Sequence, residues 1–295
     1  MLRKSTTAIA AILAGTVAMA EEDREKTFQQ SVYNPISEAT TDQVLDSTDA
    51  NEVAREMLNP NTPLASLTFK MQHVTFKGDA LGGKESAMMY TFQPSFPFEL
   101  ANGDGIFFRP AIAFTKDMPG IGGGSITGWS DLSFDLAYGR TFDNGMIGAA
   151  GIFATVPLGG KLGSDQFRLG PEFIVAKMSE KSVFAGLFTH QWDVGGKNKS
   201  KYSTTSVQLA AAYLPGNGWS IGTAPLMTYD HVADQWNVPI NAQISKTLMM
   251  GKTPVQVAFT VDKYVEGSDQ FGRDTVFGVN ITPVVKNIFA DMFRK

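Results

Sequence analysis

Between Gln235 and Lys246 the chain reads QWNVPINAQISK, and apolar and polar side chains alternate almost without a break. Trp236, Val238, Ile240, Ala242 and Ile244 share one parity; Gln235, Asn237, Pro239, Asn241, Gln243 and Ser245 share the other. Successive strand residues point to opposite faces, so this segment has one apolar face and one amide-rich face. The same period recurs from Pro63 onward. Val207, Leu209, Ala211 and Tyr213 stand opposite Gln208, Ala210 and Ala212, and Val255, Val257, Phe259 and Val261 stand opposite Gln256, Ala258, Thr260 and Asp262. Twelve such segments are predicted, near 64–77, 86–99, 105–115, 129–142, 145–157, 166–177, 182–194, 203–214, 218–229, 234–248, 253–265 and 273–285.

The connections alternate in size. ANGDG, DNG, KMSEKS, LPGNG and MGKT are tight and carry turn residues. Between them fall FKGDALGGKES, TKDMPGIGGGSITG, LGGKLGSD, GGKNKSK, DHVAD and EGSDQFGRD, mostly longer and Gly-rich. An even strand count with short turns on one rim and longer loops on the other is the signature of an outer-membrane barrel. The predicted fold is therefore all-β: a transmembrane antiparallel up-and-down β-barrel of about 12 strands over 63–286, with a tail at 287–295. The apolar parity meets lipid, and closure leaves no unpaired edge in the hydrocarbon. Trp129, Trp192 and Trp236 fall at loop-side strand ends and Trp219 at a turn-side end, positions suited to interface aromatics. Pro94, Pro110, Pro171, Pro239 and Pro283 fall inside predicted strands. Because proline removes a ladder hydrogen bond, local bulges are expected there.

Residues 1–20 follow another rule. Arg3 and Lys4 precede an apolar run to about Val17, and Ala18-Met19-Ala20 offers a cleavage site. This is the pattern of a signal peptide; the run is short for the alternative, a membrane anchor. Residues 21–62 form an acidic extension, with ten Asp and Glu against three Lys and Arg, whereas 63–295 is close to neutral. Within the extension a short helix is predicted at 49–58. Asp49 stands at its N-cap, Glu52 sits at capping-box spacing and Val53, Met57 and Leu58 make a narrow apolar stripe. Asn59-Pro60 ends it. Its expected place is the turn-side mouth of the lumen, because the tether to the first strand is only a few residues long.

Charge and chemistry narrow the function. With 25 Lys+Arg against 29 Asp+Glu, no nucleic-acid partner is expected. The absence of Cys removes disulfide and thiolate chemistry, and three scattered His (His73, His190, His231) give no zinc spacing, so neither metal nor cofactor is expected. No G-x-S-x-G elbow is present, and His190 and Asp193 fall on opposite strand faces; the chain is not read as an enzyme. GIGGG at 120–124 lacks the Lys-Ser/Thr of a phosphate loop and reads as a barrel loop. A lipid-facing Lys or Arg near the midplane costs about 2–4 kcal/mol, so charges on the polar parity belong in the lumen. The candidate lumen-lining residues are Lys70, Gln93, Arg109, Asp135, Arg168, Glu172, Asn237, Asn241, Gln243 and Asp262. Their charges are expected to pair across the lumen, Arg168 and Glu172 facing the same way four residues apart. They make either a selectivity ring or a structural salt-bridge network.

Several stretches, LNPNTPLASLTFKMQ, FQPSFPFEL, RPAIAF, GWSDLSF, GSDQFRLGPEFIV, FTHQW and YDHVADQWNVPINAQISK, carry a resemblance. Together they resemble the outer-membrane barrels grouped with the phenol meta-pathway degradation protein, over about residues 57–285. The resemblance implies an outer-membrane channel or facilitator for passive passage of small solutes, hydrophobic or aromatic ones among them. The alternative is a plugged structural or assembly barrel without transport. Outer-membrane lipid, an unidentified solute and the barrel-assembly machinery are the expected partners. Two features depart from the resemblance: the acidic stretch 21–48, and an end, KNIFADMFRK, in which Phe289 or Phe293 would replace a terminal aromatic.

Overall fold

The computed structural model describes residues 49–287 and 289. The expected signal peptide at 1–20, the acidic stretch 21–48 and, apart from Asn287 and Phe289, the tail at 287–295 lie outside the described residues. Fourteen strands follow one short helix, α1 (Ala50–Glu56). They are β1 (Ala65–Lys77), β2 (Glu85–Glu99), β3 (Gly105–Pro119), β4 (Ser125–Trp129), β5 (Leu132–Thr141), β6 (Met146–Val156) and β7 (Gln166–Met178). Then come β8 (Ser182–Gly196), β9 (Ser203–Gly216), β10 (Trp219–Thr223), β11 (Leu226–Asp230), β12 (Gln235–Met250), β13 (Thr253–Glu266) and β14 (Gly272–Val285). β4 and β5 are two halves of one stave, both paired with β3, and β10 and β11 are two halves of another, both lying between β9 and β12. β1 pairs with β14, so the sheet closes on itself as a twelve-stranded antiparallel barrel.

Alternation along each stave sorts the side chains. Phe69, Met71, Tyr90, Phe173, Leu209 and Phe259 point outward and are 40–58% exposed. An apolar belt of this extent is stable only against hydrocarbon. The short turns and both ends of the barrel chain share one rim; the longer loops share the other. On the turn rim the Asp104 carboxylate accepts from Arg140 Nε at 2.7 Å and from the Tyr138 hydroxyl. Bonding to the Arg140 guanidinium holds that carboxyl below its ordinary range.

The expected proline bulges need correction. Only Pro239 sits at a register shift. Pro94 and Pro110 face each other across β2 and β3, where rungs are missing between Phe92↔Ile112 and Phe96↔Phe108 but the register is the same on both sides. Pro171 and Pro283 likewise sit where rungs are skipped without a shift. A missing N–H removes one rung; it does not require an extra residue, and the strand keeps its ladder on the other edge. Gly170, beside Pro171, allows the close approach there, since a Cβ would lie 1.6 Å from the His190 carbonyl oxygen.

The break between β10 and β11 was not visible in the alternation. At Ala224 the ladder is completed by side chains: Asn241 Oδ1 accepts from the Ala224 N–H at 2.7 Å, and Gln208 Nε2 donates to the Ala224 carbonyl at 3.0 Å. An unsatisfied amide in such a wall costs about 1–3 kcal/mol. Asn241→Ala is therefore expected to lower barrel stability by about that amount, read as an earlier urea midpoint at unchanged slope. An unmoved midpoint would show that Ala224 finds another partner.

Candidate functional site

The site is the lumen, and it has three levels. At the turn rim, α1 is shorter than the expected 49–58. Asp49 caps it by accepting from the Asn51 N–H at 2.8 Å, rather than through a capping box with Glu52. Val53 and Ala54 are completely buried. Val53 packs on Leu64 and Val284, where the barrel chain begins and ends, and Ala54 packs on Val183 and Leu214 of β8 and β9. One helix turn thus touches two separate sectors of the inner wall. Asn51 Oδ1 also accepts from Gly218 N at 2.7 Å, in the turn after β9. The tether then crosses the lumen: Asn61 Nδ2 donates to Thr141 Oγ1 at 3.2 Å, and its amide occupies the space where Gly105 and Gly139 have no Cβ.

Above this plug lies a cavity of about 230 Å3, bounded below by Met57, Asn59 and Pro60 and walled by Gln93, Ser95, Phe107 and Arg109. Its roof is the charged level. Arg109 Nη2 stands 2.7 Å from Asp135 Oδ2, across the β3–β5 rung that pairs the two residues. The same Nη2 is 3.6 Å from Glu172 Oε1, with Phe107 under the guanidinium. Glu172 comes from β7, and its rung partner on the intervening β6 is Gly151, which has no side chain to block the reach. Glu172 is 1% exposed, and its Oε1 has no hydrogen-bond partner. Lys70 faces the lumen from β1 without a carboxylate at ion-pair distance among the described residues.

The upper level, below the loop rim, is a chamber of about 600 Å3. Val74, Phe76, Met89, Met118, Leu226 and Phe271 are among its apolar lining, with Thr115, Thr228, Asn237 and Arg273 as polar groups in the same wall. Phe271 is carried in by the loop after β13, whose Gln270 carbonyl binds the Ala80 N–H at 3.0 Å. Gly78 permits that contact: its φ is +148°, and a Cβ would lie 2.2 Å from the Gln270 oxygen.

The candidate residues therefore separate. Arg109, Asp135 and Glu172 come together. Arg168 does not join them: it lies over the Tyr202 ring at 3.8 Å and donates to Gln166 Oε1, nearer the loop rim. The four-residue spacing put Arg168 and Glu172 on one face, but more than 13 Å of extended chain separates four residues at about 3.3 Å each, so each finds a different level. Asn241 donates to Asp262 Oδ1 at 2.8 Å besides completing the wall. Asn237 lines the chamber and Gln93 of β2 the lower cavity, while Gln243 lies on the β12 parity that Asn237 and Asn241 share. Trp129, Trp192, Trp219 and Trp236 are 41–51% exposed on the outer face. His190 lies tilted against Trp192, ring centroids 4.2 Å apart, and shares the Thr205 hydroxyl with His231, in an outer aromatic group that includes Tyr229. Among the described residues no group of His, Cys, Asp or Glu is arranged to hold a metal. The apolar chamber is what a polar-inside rule misses. The signal was the parity of β1, which runs from Lys70 and Gln72 straight into Val74 and Phe76.

The fold and these levels define a closed, internally plugged β-barrel with an apolar outer belt. No family profile matches the chain, and no curated protein matches it. Among solved structures, an outer membrane channel from Pseudomonas putida F1 is similar at 14% identity and a TM-score of 0.58, covering 75% of this chain and 95% of that one. The NanC porin (10% identity, TM-score 0.46, 74% and 99% covered) and the KdgM porin (12%, 0.45, 75% and 99%) also match.

Proposed function

We propose that the protein is an outer-membrane channel that admits small, largely apolar solutes from the loop side, with α1 restricting the exit. The chamber walled by Val74, Phe76, Met89 and Leu226 carries this reading. A barrel that served only as a scaffold gains nothing from apolar side chains turned toward its water-filled interior. A cleft of several hundred Å3 with a few placed polar groups suits a small-molecule ligand. Charges at the mid-level then face the solute after it leaves the chamber. The likeness to the Pseudomonas putida F1 channel supports the architecture. The second reading, a barrel that conducts nothing, rests on the contacts of α1 with two sectors of the wall.

Uptake into liposomes separates the readings. The reconstituted barrel should pass a neutral monocyclic aromatic faster than a hexose. Phe76→Arg with Met89→Arg should remove that preference while the ion conductance stays measurable. Equal passage of both solutes in the unaltered protein, or of neither, would dismiss the apolar route.

A further inference from the structure

A second constellation lies outside the lumen. At the loop-side ends of β13, β14 and β1, three ammonium groups converge on the Asp274 carboxylate: Lys263 Nζ at 2.6 Å, Lys84 Nζ at 3.1 Å and Lys77 Nζ at 3.4 Å. The seat is a bulge. The β1–β14 register shifts between Thr75 and Phe76, leaving Asp274 without a rung partner. Asp274 turns to the same side as Thr275, whose hydroxyl Lys263 also meets at 3.3 Å. That side is outward, because Lys263 continues the parity of Phe259 and Val261, and Lys77 that of Met71 and His73.

Asp274 is 3% exposed, while the three lysine side chains are 50–69% exposed. Asp274 is the one carboxylate within 4 Å of these ammonium groups among the described residues; Asp79, Glu266 and Asp269 line the cleft beside Lys77 and Lys84 without reaching ion-pair distance of either, so three ammonium groups crowd one carboxylate and face outward. Such a grouping is repulsive until an anion joins it.

Directly below, the outer wall over β10, β12, β13, β14 and β1 is indented. The groove measures about 670 Å3 and is lined by Met71, Ala242, Ile244, Phe259, Phe277 and Val279. His73 is its one polar outward side chain. Val261, also in the groove, is two residues from Lys263. His73 is four residues from Lys77, about 13 Å along the strand at roughly 3.3 Å per residue. A cluster of three ammonium groups at the head of an apolar groove matches an amphiphile with an anionic head, and neither a free anion nor a neutral lipid uses both parts.

We propose that this sector holds one lipid of the loop-side leaflet bearing two phosphates on a sugar headgroup, a lipid of the lipid A class. One phosphate sits among Lys77, Lys84 and Lys263, an acyl chain fills the groove, and His73 faces the linkages between head and chains. Three ammonium groups on one buried carboxylate favour a phosphate that carries more than one charge over a singly charged phosphodiester. The choice of leaflet rests on the outer-membrane reading above.

Native mass spectrometry of the detergent-purified full chain tests it, with bisphosphorylated lipid A, phosphatidylglycerol and inorganic phosphate as probes. The protein should retain one lipid A through detergent exchange. Lys77→Gln/Lys84→Gln/Lys263→Gln should weaken retention at least tenfold, and Ala242→Trp, which fills the groove and leaves the lysines alone, should weaken it as well. Heat-modifiable mobility in gels shows that each variant is folded. Equal retention by the triple variant, equal retention of phosphatidylglycerol, or displacement by millimolar phosphate would each overturn the proposal. Membrane fractionation tests the outer-membrane reading separately: recovery elsewhere would defeat that reading while the binding result still judged the site.

Discussion

Removing residues 21–58 raises the single-channel conductance several-fold and leaves the barrel folded. The helix α1 rests on two apolar contacts, Val53 with Leu64 and Val284, and Ala54 with Val183 and Leu214, plus one bond from Gly218 to Asn51. A seven-residue helix has little stability of its own in water. Full burial of Val53 contributes about 1.5–3 kcal/mol and Ala54 less, so the plug is held weakly beside the wall it leans on. That wall is a ladder closed by the β1–β14 pairing from Ala65 onward, and it does not depend on α1. Val53→Asp with Ala54→Glu tests the same contact without shortening the chain, since both charges would have to be buried against the wall. The measurement is conductance in planar bilayers, with limited proteolysis to report whether the helix has left. Unchanged conductance after complete removal of the segment would place the constriction at the Arg109 level instead.

The period of two made the barrel legible because each stave has one face against hydrocarbon and one against water or protein, so the sequence of every stave records both. The predicted segments 86–99 and 253–265 differ from β2 and β13 by one residue at one end. The reading failed where side chains replace backbone. The break at Ala224-Pro225 keeps its place in the wall because Asn241 and Gln208 bond the interrupted amide and carbonyl, and no local pattern announces a bond contributed by a residue 17 positions away. The proline positions were legible but their consequence was not, since Pro94 and Pro110 share one gap only because the fold brings them opposite each other. The charged level was half visible. Parity placed Arg109, Asp135 and Glu172 on inner faces, but their convergence depends on strand stagger and on Gly151 standing between. The apolar chamber was hidden by the assumption that inner faces are polar. Its residues resemble a lipid face in composition and differ only in parity.

Replacing Arg109 by Leu destabilises the barrel by about 3–5 kcal/mol, the usual cost of leaving the partner of a buried ion pair uncompensated. Two carboxylates depend on this guanidinium. Asp135 receives Nε and Nη2 at 2.7–2.9 Å, and Glu172 has the guanidinium at 3.6 Å and no hydrogen bond at Oε1. With the cation gone, the two acids stand on either side of β6, Asp135 on β5 and Glu172 on β7, with no cation between them. Removing all three charges, as Arg109→Leu/Asp135→Leu/Glu172→Leu, should recover most of the loss, because a matched apolar set carries no desolvation debt. Urea titration of the reconstituted barrels gives the stabilities. Reversal potentials under a KCl gradient give the second readout: Arg109→Leu shifts selectivity toward cations, and the triple variant returns it toward that of the unaltered protein. A shift in selectivity without loss of stability would mean that water reaches Glu172 in the resting barrel. A loss of stability without a shift would mean that ions pass along another side of the lumen, and the three residues would then be a brace in the wall rather than part of the path.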